Sequence, residues 1–207
     1  MADLPSRQPG AVNQPGAVNQ PCAVNQPCAV PRIRPATAED LAALPALEAE
    51  ADRLLEAALG GRALPAQVPA QDRPDDPAPG RDRPPGSEPL IILVAVLAEG
   101  RPPAGFVRVD ELDGQAHLEQ LSVHPDSAGQ GLGRSLVQAA LRDATSRGYN
   151  SMTLCTFADI PFNAPFYASC GFSEVADAGG GLAALRAHEA RLGLDDLGRR
   201  TTMRIRL

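Results

Sequence analysis

The stretch Leu121-Ser122-Val123-His124-Pro125-Asp126-Ser127-Ala128-Gly129-Gln130-Gly131-Leu132-Gly133-Arg134-Ser135 joins a strand-like segment to a helix-like one. Residues 115–123 fit a strand, whereas residues 132–147 repeat apolar side chains at helical spacing. The glycines between the two segments let backbone amides converge without interference from Cβ atoms. A helix that opens on such a turn offers its N-terminal dipole and free donors to a phosphate or a diphosphate.

The glycine-rich turn has a second interpretation, because a tight loop that needs positive φ angles carries the same residues. Two familiar nucleotide motifs are excluded. A P-loop ends in Gly-Lys-Ser/Thr, and this chain has no lysine. The dinucleotide fingerprint needs an early βαβ unit and an acidic residue about 20 residues further on, and neither is present. The turn therefore predicts an anion cradle of another kind or a structural loop.

Composition limits the classes of partner. The 207 residues carry a net charge of -6, which argues against a nucleic-acid binder, since such proteins need a basic surface. The N-terminus lacks an apolar stretch of signal-peptide length, and the longest apolar run, residues 90–98, is less than half a membrane span. We expect a cytoplasmic protein without a membrane partner. The four cysteines indicate no disulfide framework.

Proline separates two predicted irregular regions from one domain, because 16 of the 21 prolines lie within the first 89 residues. From Gln8, four copies of a six-residue unit that begins Gln-Pro predict a disordered tail over residues 1–31, with an interaction arm as the alternative. Residues 60–89 hold eight prolines and predict a flexible loop, with an ordered lid as the alternative. Residues 32–207 form the predicted domain.

Periodicity and turn residues predict an alternating α/β order in that domain. The Asp113-Gly114 turn joins the last two strands of an antiparallel meander, and Gly148 is suited to a left-handed helix end. The predicted strands are 32–35, 90–98, 104–110, 115–123, 151–157, 172–175 and 202–207, and the predicted helices are 41–59, 132–147, 165–170 and 182–192.

Several motifs together resemble the GNAT superfamily of acyl-CoA-dependent N-acyltransferases. The resemblance spans about residues 32–207 in the expected order of elements. It implies an α/β fold whose central mixed, mostly antiparallel sheet splays between its fourth and fifth strands and is flanked by helices. The motifs are Leu121-Ser122-Val123-His124-Pro125, Gly131-Leu132-Gly133, Asn163-Ala164-Pro165-Phe166-Tyr167, Gly171-Phe172, and Ile33-Arg34-Pro35-Ala36-Thr37 with Asp40.

The resemblance implies acetyl-CoA as cosubstrate, without a metal. Main-chain groups of Leu121 and Val123 would pair with the pantetheine arm at an open sheet edge. Asn163 would orient the pantetheine or the acceptor, and a helix cap is the alternative. The diphosphate would be held by the loop residues Gly129, Gln130, Gly131, Leu132, Gly133, Arg134 and Ser135.

One position departs from the family pattern. The family usually has Gln or Arg five residues before the last glycine of this turn, and Ala128 stands there. We expect weaker or differently supported diphosphate binding, because the backbone cradle does not depend on that side chain.

The residues themselves predict a β-bulge in the strand before the turn. Leu118 and Leu121 both suit a buried face, but they are three residues apart, which breaks the alternation of a regular strand. A bulge near Glu119 and Gln120 restores the phase. We expect it to turn this strand away from its parallel neighbour, residues 151–157.

Acyl transfer to an amine needs a base for the amine proton and an acid for the departing thiolate. By resemblance Tyr167 is the acid, with a packed core aromatic as the alternative. Glu119 is the candidate base, with a solvated or salt-bridged carboxylate as the alternative. His117 is a weaker candidate base, and His124 is expected to pack or cap at the turn.

The resemblance implies direct transfer of an acetyl group to a primary amine of a small molecule or peptide. Cys155 as the nucleophile of a two-step route is disfavoured, because no histidine partner is evident. Residues 41–59, the proline-rich loop and residues 179–200, with Glu189 as a weak candidate, would frame the acceptor. The alternatives are a non-catalytic CoA-binding module and an interaction protein that acts through its repeats. A homodimer is left open.

Overall fold

A computed structural model of the chain describes residues 31–65, 87–176 and 179–207. The predicted tail over residues 1–31 lies outside the described residues apart from Pro31, and so does most of the predicted loop over residues 60–89. The last three residues of that loop belong to a strand instead. Within the described ranges, no helix has the length and apolar character needed to cross a membrane.

Across the described ranges, seven strands form one sheet in the order β1-β2-β3-β4-β5-β7-β6. Only β4 and β5 run parallel among these neighbours, and the other pairs run antiparallel. The predicted mixed, mostly antiparallel sheet and its meander are therefore confirmed. The strands are β1 (Arg32–Pro35), β2 (Ser87–Val96), β3 (Gly105–Leu112), β4 (Gln115–Val123), β5 (Ser151–Phe157), β6 (Ser173–Glu174) and β7 (Arg200–Arg206).

The fourth and fifth strands separate soon after they meet. Between β4 and β5 the pairing is limited to Ala116 with Met152 and His117 with Thr153. On the other edge of β4, Val109 of β3 faces Leu118, but the preceding Arg108 faces Gln120, which leaves Glu119 as the extra residue of a bulge. The predicted bulge and the predicted splay are both confirmed.

Helix α2 (Leu132–Ser146) packs on one face of the sheet. It begins after Gly131, whose φ of 80° is left-handed, and it ends just before Gly148, whose φ of 88° confirms the predicted helix end. Leu136 and Val137 are fully buried against the strands. Burying a side chain of this size contributes about 2 kcal/mol, so this packing fixes the start of α2 against β4.

Helices α1 (Ala38–Ala58) and α4 (Gly180–Arg191) cover the opposite face at separate places. Leu44 and Leu47 of α1 pack with Phe106, and α4 packs against Leu112. Residues 106 and 112 are an even number apart in β3, so both helices lie on the same face. Short helices α3 (Ala164–Ser169) and α5 (Leu194–Leu197) complete the described helices.

The start of α1 is fixed by a capping box between Thr37 and Asp40. Arg34 of β1 also donates to the Asp40 carboxylate, and this hydrogen bond lowers the pKa of Asp40 to about 2. The helix continues through Pro45 as one element. The capping box and the packing of α1 on the sheet therefore maintain the helix on both sides of Pro45.

Candidate active site

A cleft of about 850 Å³ opens where β4 and β5 diverge. Its wall is built by the end of α1, the turn before α2, the α3 segment, α4 and the start of β7. Most of the residues singled out from the sequence lie along it. These are Glu119, Leu121, Val123, Gly129, Gly131, Leu132, Gly133, Arg134, Asn163 and Tyr167.

The open edge of β4 presents backbone groups to this cleft. The amide of His124 donates to Ala104 O at 2.9 Å, and Ser122 O lies against Gly105, so these groups face β3. Successive residues of a strand point their backbone groups to opposite edges. The backbone groups of Leu121 and Val123 therefore point toward β5, where β4 has already lost its pairing.

The turn before α2 presents a set of amides. Gly129 and Gly131 have φ angles of 74° and 80°, a region that favours glycine. A Cβ at either position would meet nothing within 4 Å, so the backbone conformation, not crowding, calls for glycine. Among the described residues, the amides of 129–134 have no hydrogen-bond acceptor. Together with the dipole of the 15-residue α2, they form a site suited to an anion.

The polar side chains of the same turn are already bonded within the protein. Arg134 donates from Nη1 and Nη2 to O and Oγ of Ser169, both at 2.8 Å. Ser135 Oγ donates to Gly131 O at 3.2 Å, and Gln130 Nε2 donates to Asp126 O at 3.1 Å. Arg134 and Ser135 remain predicted diphosphate ligands, and a diphosphate would compete with these internal bonds, because α3 ends next to Arg134 and a helical serine reaches its own backbone.

Tyr167 lies in α3 at the wall of the cleft. Its ring makes edge contacts with Phe166 and Phe172, at centroid distances of 5.2 and 5.9 Å. The side chain is mostly buried, yet it contributes to the cleft lining. Both interpretations of the sequence thus describe part of its position, since the ring packs in the core and the residue borders the cleft.

Glu119 and His117 lie on the bulged part of β4. His117 Nε2 is 3.7 Å from Glu119 Oε2, and His117 Nδ1 is 2.8 Å from Thr153 Oγ1. Burial lowers the pKa of His117 to about 4, so the imidazole is neutral at pH 7 and a poor proton acceptor there. Of the two side chains, Glu119 is the better placed and the stronger candidate base.

Three further sequence expectations can be compared with the structure. Asn163 precedes α3 at its N-cap position, but its side chain makes no capping bond and the residue lines the cleft. His124 accepts a hydrogen bond from the amide of Asp126 at 3.2 Å, so its predicted capping role is confirmed. Cys155 lines the cleft, and burial raises its pKa to about 12. Its thiol therefore stays protonated at neutral pH, which opposes a nucleophilic role.

The far wall of the cleft contains residues that sequence reasoning missed. Glu189 of α4 accepts hydrogen bonds from Arg186 and Arg200, and the Arg200 guanidinium lies 4.7 Å from the centre of the Phe157 ring. Asp52 also borders the cleft. Of these residues, the sequence singled out only Glu189. The others were missed because α4 has no strong amphipathic pattern and Arg200 lies far from the other site residues in the sequence. In the described part of the chain, no cluster of three or more potential metal ligands occurs.

The sequence profile of the acetyltransferase (GNAT) family matches residues 62–172, which is more than half of the chain. The chain belongs to this family. A similar protein is mycothiol acetyltransferase of Clavibacter michiganensis subsp. michiganensis, 37% identical over 95 residues. The matched region covers 44% of this GNAT protein and only 30% of the length of the relative.

Solved structures support the fold of this GNAT protein. The PaiA N-acetyltransferase of Thermoplasma acidophilum, in complex with coenzyme A, superposes with a TM-score of 0.56 at 16% identity, over 86% of this chain and 99% of that one. N-acetylglutamate synthase of Neisseria gonorrhoeae, complexed with coenzyme A and N-acetyl-glutamate, gives 0.59 at 14% identity, over 86% of this chain and 35% of that one. Both resemblances concern the fold.

Proposed function

We propose that this protein transfers an acetyl group from acetyl-CoA directly to a primary amine of a small molecule or a peptide. The observation that carries the proposal is one juxtaposition: amides without acceptors at the start of α2 lie in the same cleft as the unpaired edge of β4. An anion site beside an open strand edge suits a ligand with a diphosphate and an amide-containing arm.

The cofactor would be held chiefly by backbone. The amides of residues 129–134 would bind the diphosphate, and the main chain of Leu121 and Val123 would pair with the amides of the pantetheine arm. Asn163 would orient that arm from the side of α3. Acetyl-CoA, when bound, supplies an activated acetyl thioester. Ala128 offers no side-chain donor, so we expect the amide cradle to provide the affinity.

Two side chains, Glu119 and Tyr167, would accept and donate the protons of the transfer reaction. Glu119 would take the proton of the acceptor ammonium, directly or through a water, and release a neutral amine. The Val123 amide would donate to the acetyl carbonyl oxygen. The Tyr167 hydroxyl would give a proton to the departing sulfur. These roles require no covalent enzyme intermediate, and the protonated state of Cys155 at neutral pH is consistent with direct transfer.

Thermal denaturation and thiol release test the proposal together. We expect acetyl-CoA to raise the melting temperature, whereas ATP and NAD do not, and we expect thiol release from acetyl-CoA when a panel of amines is added. Stabilisation without thiol release would indicate a CoA-binding module. A variant that lacks residues 1–31 is expected to keep both properties, and their loss would favour a function of the repeats.

A further inference from the structure

Exposed apolar side chains contribute to the lining of the cleft. In the described part of the chain, four large hydrophobic side chains are more than a third exposed. Three of them line this one cleft, namely Leu54 of α1 at 44%, Phe162 before α3 at 49%, and Leu192 after α4 at 39%. The fourth, Leu97, follows β2 outside the cleft. Exposed apolar side chains from three separate elements that line one cleft suit an apolar group of a ligand.

The charges inside the cleft restrict what such a group can carry. The chain has no lysine, and two arginines line the cleft. Arg134 donates to Ser169, and Arg200 donates from Nη2 to the Glu189 carboxylate, while Arg200 Nε has no acceptor among the described residues. Because Glu189 already balances the charge of Arg200, a carboxylate on the acceptor would have to compete with Glu189 for this guanidinium. Asp52 and Glu119 also line the cleft, and two carboxylates there suit a cationic head.

A strongly polar acceptor fits the mouth no better. A sugar or a polyamine must keep its hydroxyl or ammonium groups hydrogen-bonded when it leaves water. The three exposed side chains offer methyl groups and an aromatic ring, so they supply no such partners. Burial of an alkyl or aryl group against them is favourable, by about fourfold in affinity for each methylene removed from water.

We propose that the acceptor is a primary amine on an apolar body. Its ammonium would approach Glu119, and its alkyl or aryl portion would rest on Leu54, Phe162 and Leu192. This inference rests on the proposed acetyl transfer and adds the class of acceptor.

Matched amines test the acceptor class. We expect kcat/KM to rise from butylamine to hexylamine by about tenfold or more. Adding a hydroxyl or an amino group to the terminal carbon of hexylamine should lower kcat/KM by at least tenfold. Equal or faster acetylation of 6-amino-1-hexanol or 1,6-diaminohexane would overturn the inference while leaving the acetyltransferase proposal intact.

Exposed leucines allow a matched set of variants. Leu54→Ser and Leu192→Ser should each raise the KM for hexylamine several-fold and leave the KM for acetyl-CoA unchanged. Leu97→Ser is the control, because Leu97 is as exposed as Leu192 but lies outside the cleft. Equal effects from all three variants would contradict the inference. An altered KM for acetyl-CoA alone would also contradict it, because the exposed leucines would then contact the cofactor. A changed oligomeric state in sedimentation would contradict it as well, because they would then contact a second copy of the chain.

Equilibrium binding separates the two proposals. If acetyl-CoA binds but no amine releases thiol, the proposed activity fails. Calorimetry with CoA-saturated protein then still measures the acceptor site, and hexylamine should bind at least tenfold more tightly than 6-amino-1-hexanol. A preference for the hydroxylated amine would refute the apolar acceptor.

Discussion

The two walls of the cleft are built by different means. On the wall at the start of α2, the groups available to a ligand belong to the main chain, and the side chains of Gln130, Arg134 and Ser135 are bonded inside the protein. On the wall formed by α1 and α4, side chains define the surface, with exposed leucines and the half-buried carboxylates of Asp52 and Glu189.

The two walls differ in how much they depend on particular side chains. A main-chain cradle depends on φ angles and strand register, so many sequences with the right glycines can build it. A side-chain wall depends on which residues α1 and α4 bring together, although they are more than 120 positions apart in the chain. We therefore expect the first wall to be common to the family and, in our proposal, the second wall to select the acceptor. Substitutions in each wall test whether the two walls have these separate roles.

The largest effect is expected at Tyr167. Tyr167→Phe keeps the ring contacts with Phe166 and Phe172 and removes only the hydroxyl. We expect kcat to fall about 10- to 1000-fold because the departing sulfur loses its acid, while the affinity for acetyl-CoA stays the same. Steady-state kinetics and calorimetry check both values. Tyr149→Phe is the control, since that hydroxyl donates to Glu111 outside the cleft, and its kinetics should not change.

The buried imidazole of His117 should make stability depend on pH. Its pKa falls from 6.5 to about 4 on folding, so between these values the unfolded chain binds more protons. Stability contributed by the neutral ring is complete above pH 6.5 and is lost as the pH falls toward 4. This amounts to about 2 to 3 kcal/mol between pH 7 and pH 4.5.

Urea unfolding of His117→Gln at pH 7 and pH 4.5 measures that contribution. The variant should show a smaller difference between the two pH values than the original protein. His124→Gln removes a partly exposed imidazole that caps a turn, and it should keep the full difference. Identical pH dependence in all three proteins would contradict the assignment to His117.

A smaller effect is expected from the backbone of the cradle. Gly131→Ala puts a Cβ on a residue with a φ of 80°, which costs about 1 to 2 kcal/mol and displaces the amides. We expect the Kd for acetyl-CoA to rise about 5- to 30-fold in calorimetry. Gly100→Ala imposes similar strain at a φ of 72° outside the cleft. If that control weakens acetyl-CoA equally, the amides of the turn are not the binding group.

The smallest effect is expected at Ala128, where the family usually has Gln or Arg. The residue is exposed and lines the cleft, so a longer side chain has room. Ala128→Arg should lower the Kd for acetyl-CoA a few-fold at low salt, because a guanidinium adds a charge-assisted donor for the diphosphate. Ala128→Met is the uncharged control. A gain shared by both variants, or one that persists at high salt, would argue against an electrostatic origin.

Local patterns in the sequence predicted the centre of the fold well. The bounds of β4 and β5 agree with the prediction, and the mismatch between Leu118 and Leu121 revealed the bulge. Here the signals are alternation, turn glycines and one break in phase, all of which act over a few residues. Helix α5 was missed, because four residues carry no period.

The distant parts of the site could not be predicted in the same way. The bond between Arg134 and Ser169 depends on how α3 docks beside α2, and no spacing in the sequence encodes that distance. The pairing of Glu189 with Arg200 likewise joins α4 to β7. Such contacts follow from tertiary packing, so they became visible only in the folded chain.

The extra residue in β4 joins two features of this GNAT protein at one position. Deleting Glu119 would leave Leu118 and Leu121 two residues apart, so β4 would alternate regularly, both leucines would keep their shared face, and the bulge would be lost. The bulge and the carboxylate that we propose as the base would be lost together. One residue thus supplies both the extra position in β4 and the proposed base, so a substitution of Glu119 tests the base alone, whereas its deletion tests both.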